Sequence, residues 1–325
     1  MKKVVALIYG GDSSEAEVSV KSGRHVSAHL DRNLFEVHEI MLKGRDWSVK
    51  LPSGGTAQIE KSDFSYSAEG RKVTFDIALI MIHGTPGENG LLQAYLEMVG
   101  VPYTTCSSTV SAISFDKYAC KCYLRDTGVK MAGEVFLHKG DKYNTAEIIS
   151  KLGLPLFVKP NVGGSSFGVT KVKKEEDLEA AINEALREGD TVLVEEYIAG
   201  REMTNGVFEA DGQLVRLPVT EIIPDNEFFD YEAKYLGASR EICPAHISVE
   251  LNKKIVDITH KIYRYLGCSG VVRVDYIIRG EEIFFLEINT VPGMTEMSLV
   301  PQQVRAAGMT IGEFLTKILE TSLSS

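Results

Sequence analysis

Within Val271–Thr295, VVRVDYIIRGEEIFFLEINTVPGMT, four side chains able to hold a metal or an anion fall at odd positions: Arg273, Asp275, Glu287 and Asn289. The segment reads as two strands joined by a turn at Gly280, and successive strand residues point to opposite faces, so the four share one face. A turn centred near Glu281 sets Asp275 opposite Glu287 and Arg273 opposite Asn289. Two carboxylates and an amide oxygen suit a hard cation such as Mg²⁺, which completes its shell with water and substrate phosphates. The plainer alternative is a solvated hairpin face with cross-strand ion pairs. The even positions, Val272, Val274, Tyr276, Ile278, Phe284, Leu286 and Ile288, are apolar and predict burial. After Asn289, Thr-Val-Pro-Gly-Met-Thr forms a turn-rich exit that presents backbone N–H groups beside the site.

Other stretches join a reactive side chain to a flexible backbone. Gly10-Gly11-Asp12-Ser13-Ser14-Glu15 leads from an apolar run into a polar helix, whose free N–H groups can hold a carboxylate or phosphate. Glu15 reads there either as a dipole partner of the helix or as an anchor for a substrate ammonium. The fingerprint G-x-G-x-x-G is absent, which argues against a dinucleotide cofactor. His83-Gly84-Thr85-Pro86-Gly87-Glu88 lies past the carboxyl end of a predicted strand, where open α/β sheets place ligands. His83 reads equally as a satisfied structural histidine. Lys159-Pro160-Asn161-Val162-Gly163-Gly164-Ser165-Ser166-Phe167-Gly168 is not a Walker A loop, since it lacks G-x-x-x-x-G-K-[ST] and no helix follows. A lysine at a strand end before a Gly/Ser tip suits a lid folding N–H and hydroxyl groups over phosphates; an ordinary hairpin turn is the alternative. Glu195 and Glu202 bracket a bend at Gly200. Residues 221–241 mix aromatics and both charges without a period, fitting a mobile active-site loop with Lys234 and Tyr235 as its working groups.

An α/β framework must position these groups. Residues 3–9 predict a buried first strand rather than a signal peptide, because the apolar run is short and ends in Gly-Gly-Asp. A helix ending before Asp31 and strands at FEVHEIMLK and FDIALIMIHG continue an alternation expected of a parallel sheet. Further helices are predicted around Asp116-Lys117, at 175–188, from Val249 to Leu266, and from near Pro301 toward the C-terminus. The turn to Thr and Ser after Tyr103 places a domain boundary near Cys106. At 325 residues the chain has room for two or three domains. A formal net charge of −10 argues against nucleic acid or an anionic membrane as main partners, while leaving room for a local cationic pocket. No apolar run approaches membrane-spanning length, so a cytoplasmic protein is expected. The five cysteines (Cys106, Cys120, Cys122, Cys243, Cys268) are odd in number and scattered, which predicts reduced thiols.

Taken together, GGDSSEAEVS, MIHGTPGENG, FVKPNVGGSSFGV, FFDYEAKY, VVRVDY and FLEINTVPGMTEMSLVP resemble, in order and across essentially the whole chain, the D-alanine:D-alanine ligases of the ATP-grasp superfamily. The resemblance implies an α/β fold of three α/β domains: an N-terminal parallel-sheet domain at 1–105, a central ATP-grasp subdomain at 106–194 and a C-terminal catalytic domain at 195–325. ATP would lie between two antiparallel sheets. Lys117, Lys159 and Ser166 would meet its phosphates, Glu195, Glu196, Tyr197 and Ile198 its adenine edge, and Glu202 its ribose, with Lys234 on the nucleotide side. Asp275, Glu287 and Asn289 match the ligands of two Mg²⁺ (or Mn²⁺) ions. Arg273 and the backbone of Gly293 match the groups that stabilise the oxyanion of a tetrahedral intermediate. Glu15 matches the holder of the first D-alanine's ammonium and His83 a residue near its carboxylate, while Ser298 and Leu299 match the grip on the second carboxylate. Ser165 and Tyr235 match a hydrogen-bonded pair linking Glu15 to the closed loop.

The implied reaction joins two D-alanines through a D-alanyl phosphate, releasing ADP and phosphate, for peptidoglycan precursor synthesis, in a cytoplasmic homodimer. Arg201, Val291 and Asn161-Val162 depart from the family pattern at positions that touch adenine-side shape and loop stiffness more than the chemical groups. Two other functions compete. One is a ligase that takes D-lactate or D-serine second, against which Tyr235 speaks; the other is a nucleotide-binding regulator without turnover, which would not need Arg273.

Overall fold

The computed structural model describes residues 2–164, 167–224 and 239–324. The first sheet runs in the order Thr56–Gln58, Asp46–Lys50, Phe35–Lys43, Lys3–Gly10, Ile77–Ile80. Lys3–Gly10 is parallel to both neighbours, and the two outer strands add on antiparallel. A parallel strand covered on both faces needs a continuous apolar run, and Val5, Ala6, Leu7 and Ile8 are fully buried. Val5, Leu7 and Tyr9 pack with Val26 in the last turn and Leu30 at the C-cap of the helix Ala16–His29, and with Phe314 and Leu315 of the helix Ile311–Ser324. Ala6 and Ile8 face Leu92 and Leu96 of the helix Leu91–Val99. The expected single C-terminal helix is two, Leu299–Ala306 and Ile311–Ser324, because Gly308 takes φ +82° and turns the chain between them.

The second sheet, Thr170–Val172, Leu156–Pro160, Thr191–Glu196, Glu134–His138, is antiparallel throughout. Ile148 of the helix Thr145–Leu152 and Leu178, Ala181 and Ile182 of the helix Leu178–Glu188 fill its core. The third sheet runs Ser239–Ile242, Thr220–Pro224, Arg201–Ala210, Val271–Arg279, Glu282–Asn289, Lys130–Met131, with Gln213–Arg216 also paired to Arg201–Ala210. The helix Val249–Leu266 covers one face of it through Ile255, Ile262 and Tyr263. Cys106, Cys120, Leu124 and Val129 belong to the same core, so the chain between the first two sheets packs on the third. All five cysteines are free thiols.

The hairpin has the expected pairing at its open end, Asp275 with Glu287 and Arg273 with Asn289. Near the turn, Tyr276 pairs with Phe285 and Arg279 with Glu282, and the register shifts between Asp275 and Tyr276. One extra residue, Leu286, therefore sits in the second strand as a bulge. It corrects the expected facing of that strand. Ile283, Phe285 and Ile288 join the core, while Phe284, expected there, lies opposite Ile277 and lines a cleft.

Candidate active site

A cleft of about 420 Å³ lies between the second and third sheets. Phe157, Lys159 and Glu195–Ile198 line it from the second sheet and its exit; Glu202, Asp275, Ile277, Phe284 and Glu287 line it from the third. Lys117 reaches it from the start of the helix Lys117–Leu124, whose N-cap Asp116 accepts the Ala119 N–H at 2.8 Å. Buried Asn161 fastens that helix start to the glycine loop: its carbonyl accepts the Lys117 N–H at 3.1 Å and its Oδ1 the Tyr118 N–H at 2.8 Å. Lys117 Nζ donates to the Gly163 carbonyl at 2.8 Å. Arg201 binds Glu221 through two 2.7 Å bonds, and both line this cleft. A bidentate ion pair thus stands on the cleft wall at one of the positions that depart from the family pattern.

A second, smaller pocket of about 90 Å³ shares Lys117, Gly163, Gly164 and Glu287 with the cleft. Glu15, His83, Arg273, Asn289, Gly293, Ser298 and Leu299 all line it. Glu15 is the N-cap residue of the helix Ala16–His29 and is buried. Gly164 passes so close that a Cβ there would lie 2.5 Å from Glu15 Oε2, so a side chain at that point would push the Glu15 carboxylate from its place. Ser298 precedes the helix Leu299–Ala306, whose N-terminal N–H groups make that end of the pocket favourable for a carboxylate. Ser298 Oγ accepts the Thr295 N–H at 3.0 Å and lies 2.7 Å from Thr295 Oγ1, closing the turn around Gly293.

His83 is buried, and both ring nitrogens have partners: Nδ1 lies 2.7 Å from the Val291 carbonyl and Nε2 lies 3.0 Å from Ser22 Oγ. Burial holds its pKa below the usual histidine value, despite the opposing charge of Glu15, so the ring is neutral. Nδ1–H donates to Val291 and Nε2 accepts from Ser22. Ser22 Oγ in turn accepts the Met294 N–H at 3.1 Å, so the helix Ala16–His29 and the segment after the strand Ile77–Ile80 clasp the turn on both sides of Gly293. His83 therefore acts first as a structural support beside the pocket.

Asp275 has both oxygens engaged. Oδ1 accepts from Thr204 Oγ1 at 2.5 Å and Arg273 Nε at 2.9 Å, and Oδ2 from Arg273 Nη2 at 2.8 Å and Asn289 Nδ2 at 3.1 Å. Among the described residues no three His, Cys, Asp or Glu side chains form a ready metal cage. Asp275 and Glu287 on the cleft, with Asn289 on the adjoining small pocket, offer two carboxylates and an amide oxygen where the cavities meet, a set that fits Mg²⁺ bringing water and phosphate oxygens with it and not a metal held by protein alone. Ser165, Ser166, Lys234 and Tyr235, together with most of the 221–241 loop, lie outside the described residues.

Several residues at the site went unassigned in the sequence. Thr204 reaches Asp275 only because Arg201–Ala210 pairs with Val271–Arg279 in a register that sets the two opposite each other. Glu88 lines the small pocket, accepts the Gly84 N–H at 3.0 Å, and is pushed up to about 7 by burial and then by the charge of Glu15. Lys121, one turn beyond Lys117, is buried against Glu195. The spacing DKYACK and the ending of HGTPGE were the available signals for the last two.

Family models described as D-ala D-ala ligase N-terminus and D-ala D-ala ligase C-terminus match residues 4–106 and 124–320. A D-alanine–D-alanine ligase of Phocaeicola vulgatus is 46% identical over 321 residues, covering 98% of this chain and 99% of the relative. One of Parabacteroides distasonis is 48% identical over 326 residues, covering 100% and 99%. Among solved structures, the VanG D-Ala:D-Ser ligase from Enterococcus faecalis superposes with a TM-score of 0.88 at 31% identity, covering 99% of this chain and 100% of that one. The D-alanine–D-alanine ligase from Bacillus anthracis complexed with ATP superposes with a TM-score of 0.80 at 31% identity, covering 99% and 98%. Likeness in sequence and in fold runs the length of the chain, which belongs to the D-alanine–D-alanine ligase family and has its ATP-grasp fold.

Proposed function

We propose that the two cavities divide the work of an ADP-forming D-alanine–D-alanine ligase, with ATP in the large cleft and the two amino acids in the small pocket. The observation that carries this reading is the shared wall: Lys117, the Gly163-Gly164 backbone and Glu287 border both cavities, so a phosphoryl group at the end of one can meet a carboxylate in the other. Lys117 and Lys159 would face the phosphates, with Ser166 and Lys234 beside them. Residues 195–198 would take the adenine edge and Glu202 the ribose. Asp275, Glu287 and Asn289 would hold two Mg²⁺ (or Mn²⁺) ions, which would neutralise phosphate charge during transfer.

In the small pocket Glu15 would hold the first ammonium, and Ser298 and Leu299, at a helix start, the second carboxylate. The first D-alanine's carboxylate attacks the γ-phosphorus of ATP, breaking its bond to the bridging oxygen and releasing ADP. The second amine then attacks the acyl phosphate, and phosphate leaves. Arg273 and the Gly293 N–H would donate to the carbonyl oxygen as negative charge develops on it. The loop at 163–168 and the segment between the strands Thr220–Pro224 and Ser239–Ile242, where the expected 221–241 loop is narrower, would exclude water from the acyl phosphate, with Ser165 and Tyr235 joining them. We further propose the divisions 1–105, 106–194 and 195–325 as its working units, a homodimeric state and a cytoplasmic location; no helix among the described residues is long and apolar enough to cross a membrane.

The test is ADP and phosphate release with ATP and Mg²⁺ across single amino acids, with product analysis. D-alanine alone should trigger release and yield the dipeptide. Turnover that required D-serine or D-lactate as the second substrate would move the assignment to a different ligase, and the absence of D-amino-acid-dependent release would sink it.

A further inference from the structure

Lys121 is not among the residues that line the large cleft, yet it is only 2% exposed and its ammonium is committed in three directions. It donates to Glu195 Oε1 at 2.6 Å and to the Ala132 carbonyl at 2.9 Å, and it forms an ion pair with Glu134. Glu195 is 5% exposed, and its other oxygen, Oε2, lies 2.5 Å from Nζ of Lys159, which lines the cleft. One buried carboxylate is thus divided between two ammoniums, one oxygen each. Burial by itself would raise the pKa of Glu195, but Lys159 and Lys121 together hold it below the ordinary carboxylate value, so it is ionised. Beyond Lys121 the charges continue outward through Glu134 to Arg125, 3.4 Å away.

The division matters because of what Lys159 faces. A lysine gripped by both oxygens of an unshared carboxylate is a closed ion pair and offers little field to an incoming phosphate. With Oε1 held by Lys121, Glu195 meets Lys159 through a single oxygen, and the remaining donor capacity of the ammonium stays directed to the cleft. Lys117 and Lys121 lie one turn apart on the helix Lys117–Leu124, so the same helix that brings one lysine to the cleft also governs the charge of the other.

We propose that Lys121 is a positioning residue of the nucleotide cleft: by holding one oxygen of Glu195 it keeps Lys159 available to a phosphate. This rests on the reading of the large cleft as the ATP site. Removing Lys121 leaves Glu195 and Glu134 facing Lys159 and the exposed Arg125, so the cleft becomes more negative by one charge and phosphate binding weakens, while residues 196–198 at the base and Glu202 at the sugar keep their places.

The experiment measures binding of a non-hydrolysable Mg·ATP analogue and of adenosine to the full chain. Lys121→Met should weaken the triphosphate roughly 10- to 100-fold and adenosine by less than about twofold. It should raise KM for ATP much more than it lowers kcat. Adding Glu195→Gln removes the unshared carboxylate and should restore the triphosphate-to-adenosine affinity ratio to within about threefold of wild type. Equal losses for both ligands, an unaffected single variant, or a double variant with an unrestored ratio would each overturn the proposal. If Lys121→Met does not fold, the uncharged but hydrogen-bonding Lys121→Gln takes its place, with the same expected fall in the triphosphate-to-adenosine affinity ratio and the same overturning outcomes. A wild-type chain that binds neither ligand would instead refute the nucleotide reading.

Discussion

At the scale of single residues, Glu88 carries a measurable signature. Its carboxyl is pushed up from 4.5 to about 7, first by burial and then by Glu15, while the Gly84 N–H and Arg273 pull the other way. A folded-state pKa above the unfolded one means that the folded protein holds the proton more tightly. The corresponding stability is fully present below about pH 4.5 and is lost as pH rises through about 7. Denaturant unfolding across that window should show wild type losing roughly 2–3 kcal/mol relative to Glu88→Gln, whose amide does not titrate. Parallel stability curves for the two proteins would mean that folding leaves the Glu88 pKa where it is in the unfolded chain. Both Glu88 and Lys121 sit inside stretches whose motifs were legible, but their roles depend on burial beside partners distant in sequence. A carboxylate's neighbours set its chemistry, and periodicity does not reveal them.

At the scale of elements, the hairpin of Val271–Arg279 and Glu282–Asn289 was legible because strand parity and a glycine turn are local properties. Its pairing of Asp275 with Glu287 follows from the expected register, whereas the bulge at Leu286 does not. A bulge compensates a mismatch between a short turn at Gly280, which takes φ +62°, and the pairing required at the open end. The C-terminal helix Ile311–Ser324 was expected as a continuation of its predecessor, and the break at Gly308 lets it reach across to the first sheet. Phe314 on this helix is fully buried and meets Phe208 edge to face at 4.9 Å. Phe314→Ala should lower stability by about 3–5 kcal/mol in chemical denaturation. A loss below about 1 kcal/mol would show that the helix is only loosely docked.

At the scale of the whole molecule, the same helix makes the first and last parts of the chain share one core. Val5, Leu7 and Leu79 from the first sheet, Phe208 and Val271 from the third, and Phe314 and Leu315 from the helix belong to a single buried cluster. A fragment of residues 1–106 would leave that face of the parallel sheet in water, although both faces of such a sheet must be covered. Expressed alone, the fragment should show no cooperative thermal transition by circular dichroism and should bind hydrophobic dyes. A sharp transition with native-like secondary structure would demonstrate that the first sheet folds independently of the C-terminal helix.

Strand parity, glycine turns, helix starts and the order of six motifs are written along the chain, and they sufficed for the α/β class, the family and the hairpin that carries Arg273, Asp275, Glu287 and Asn289. These features depend on residues a few positions apart, so the chain specifies them locally. Tertiary structure alone decided that Thr204 bonds Asp275, that His83 and Ser22 clasp the turn around Gly293, and that Glu195 is divided between Lys159 and Lys121. Each of these joins segments dozens to hundreds of residues apart. Their geometry depends on how sheets pair and cores pack, and their electrostatics on how far packing removes the groups from water.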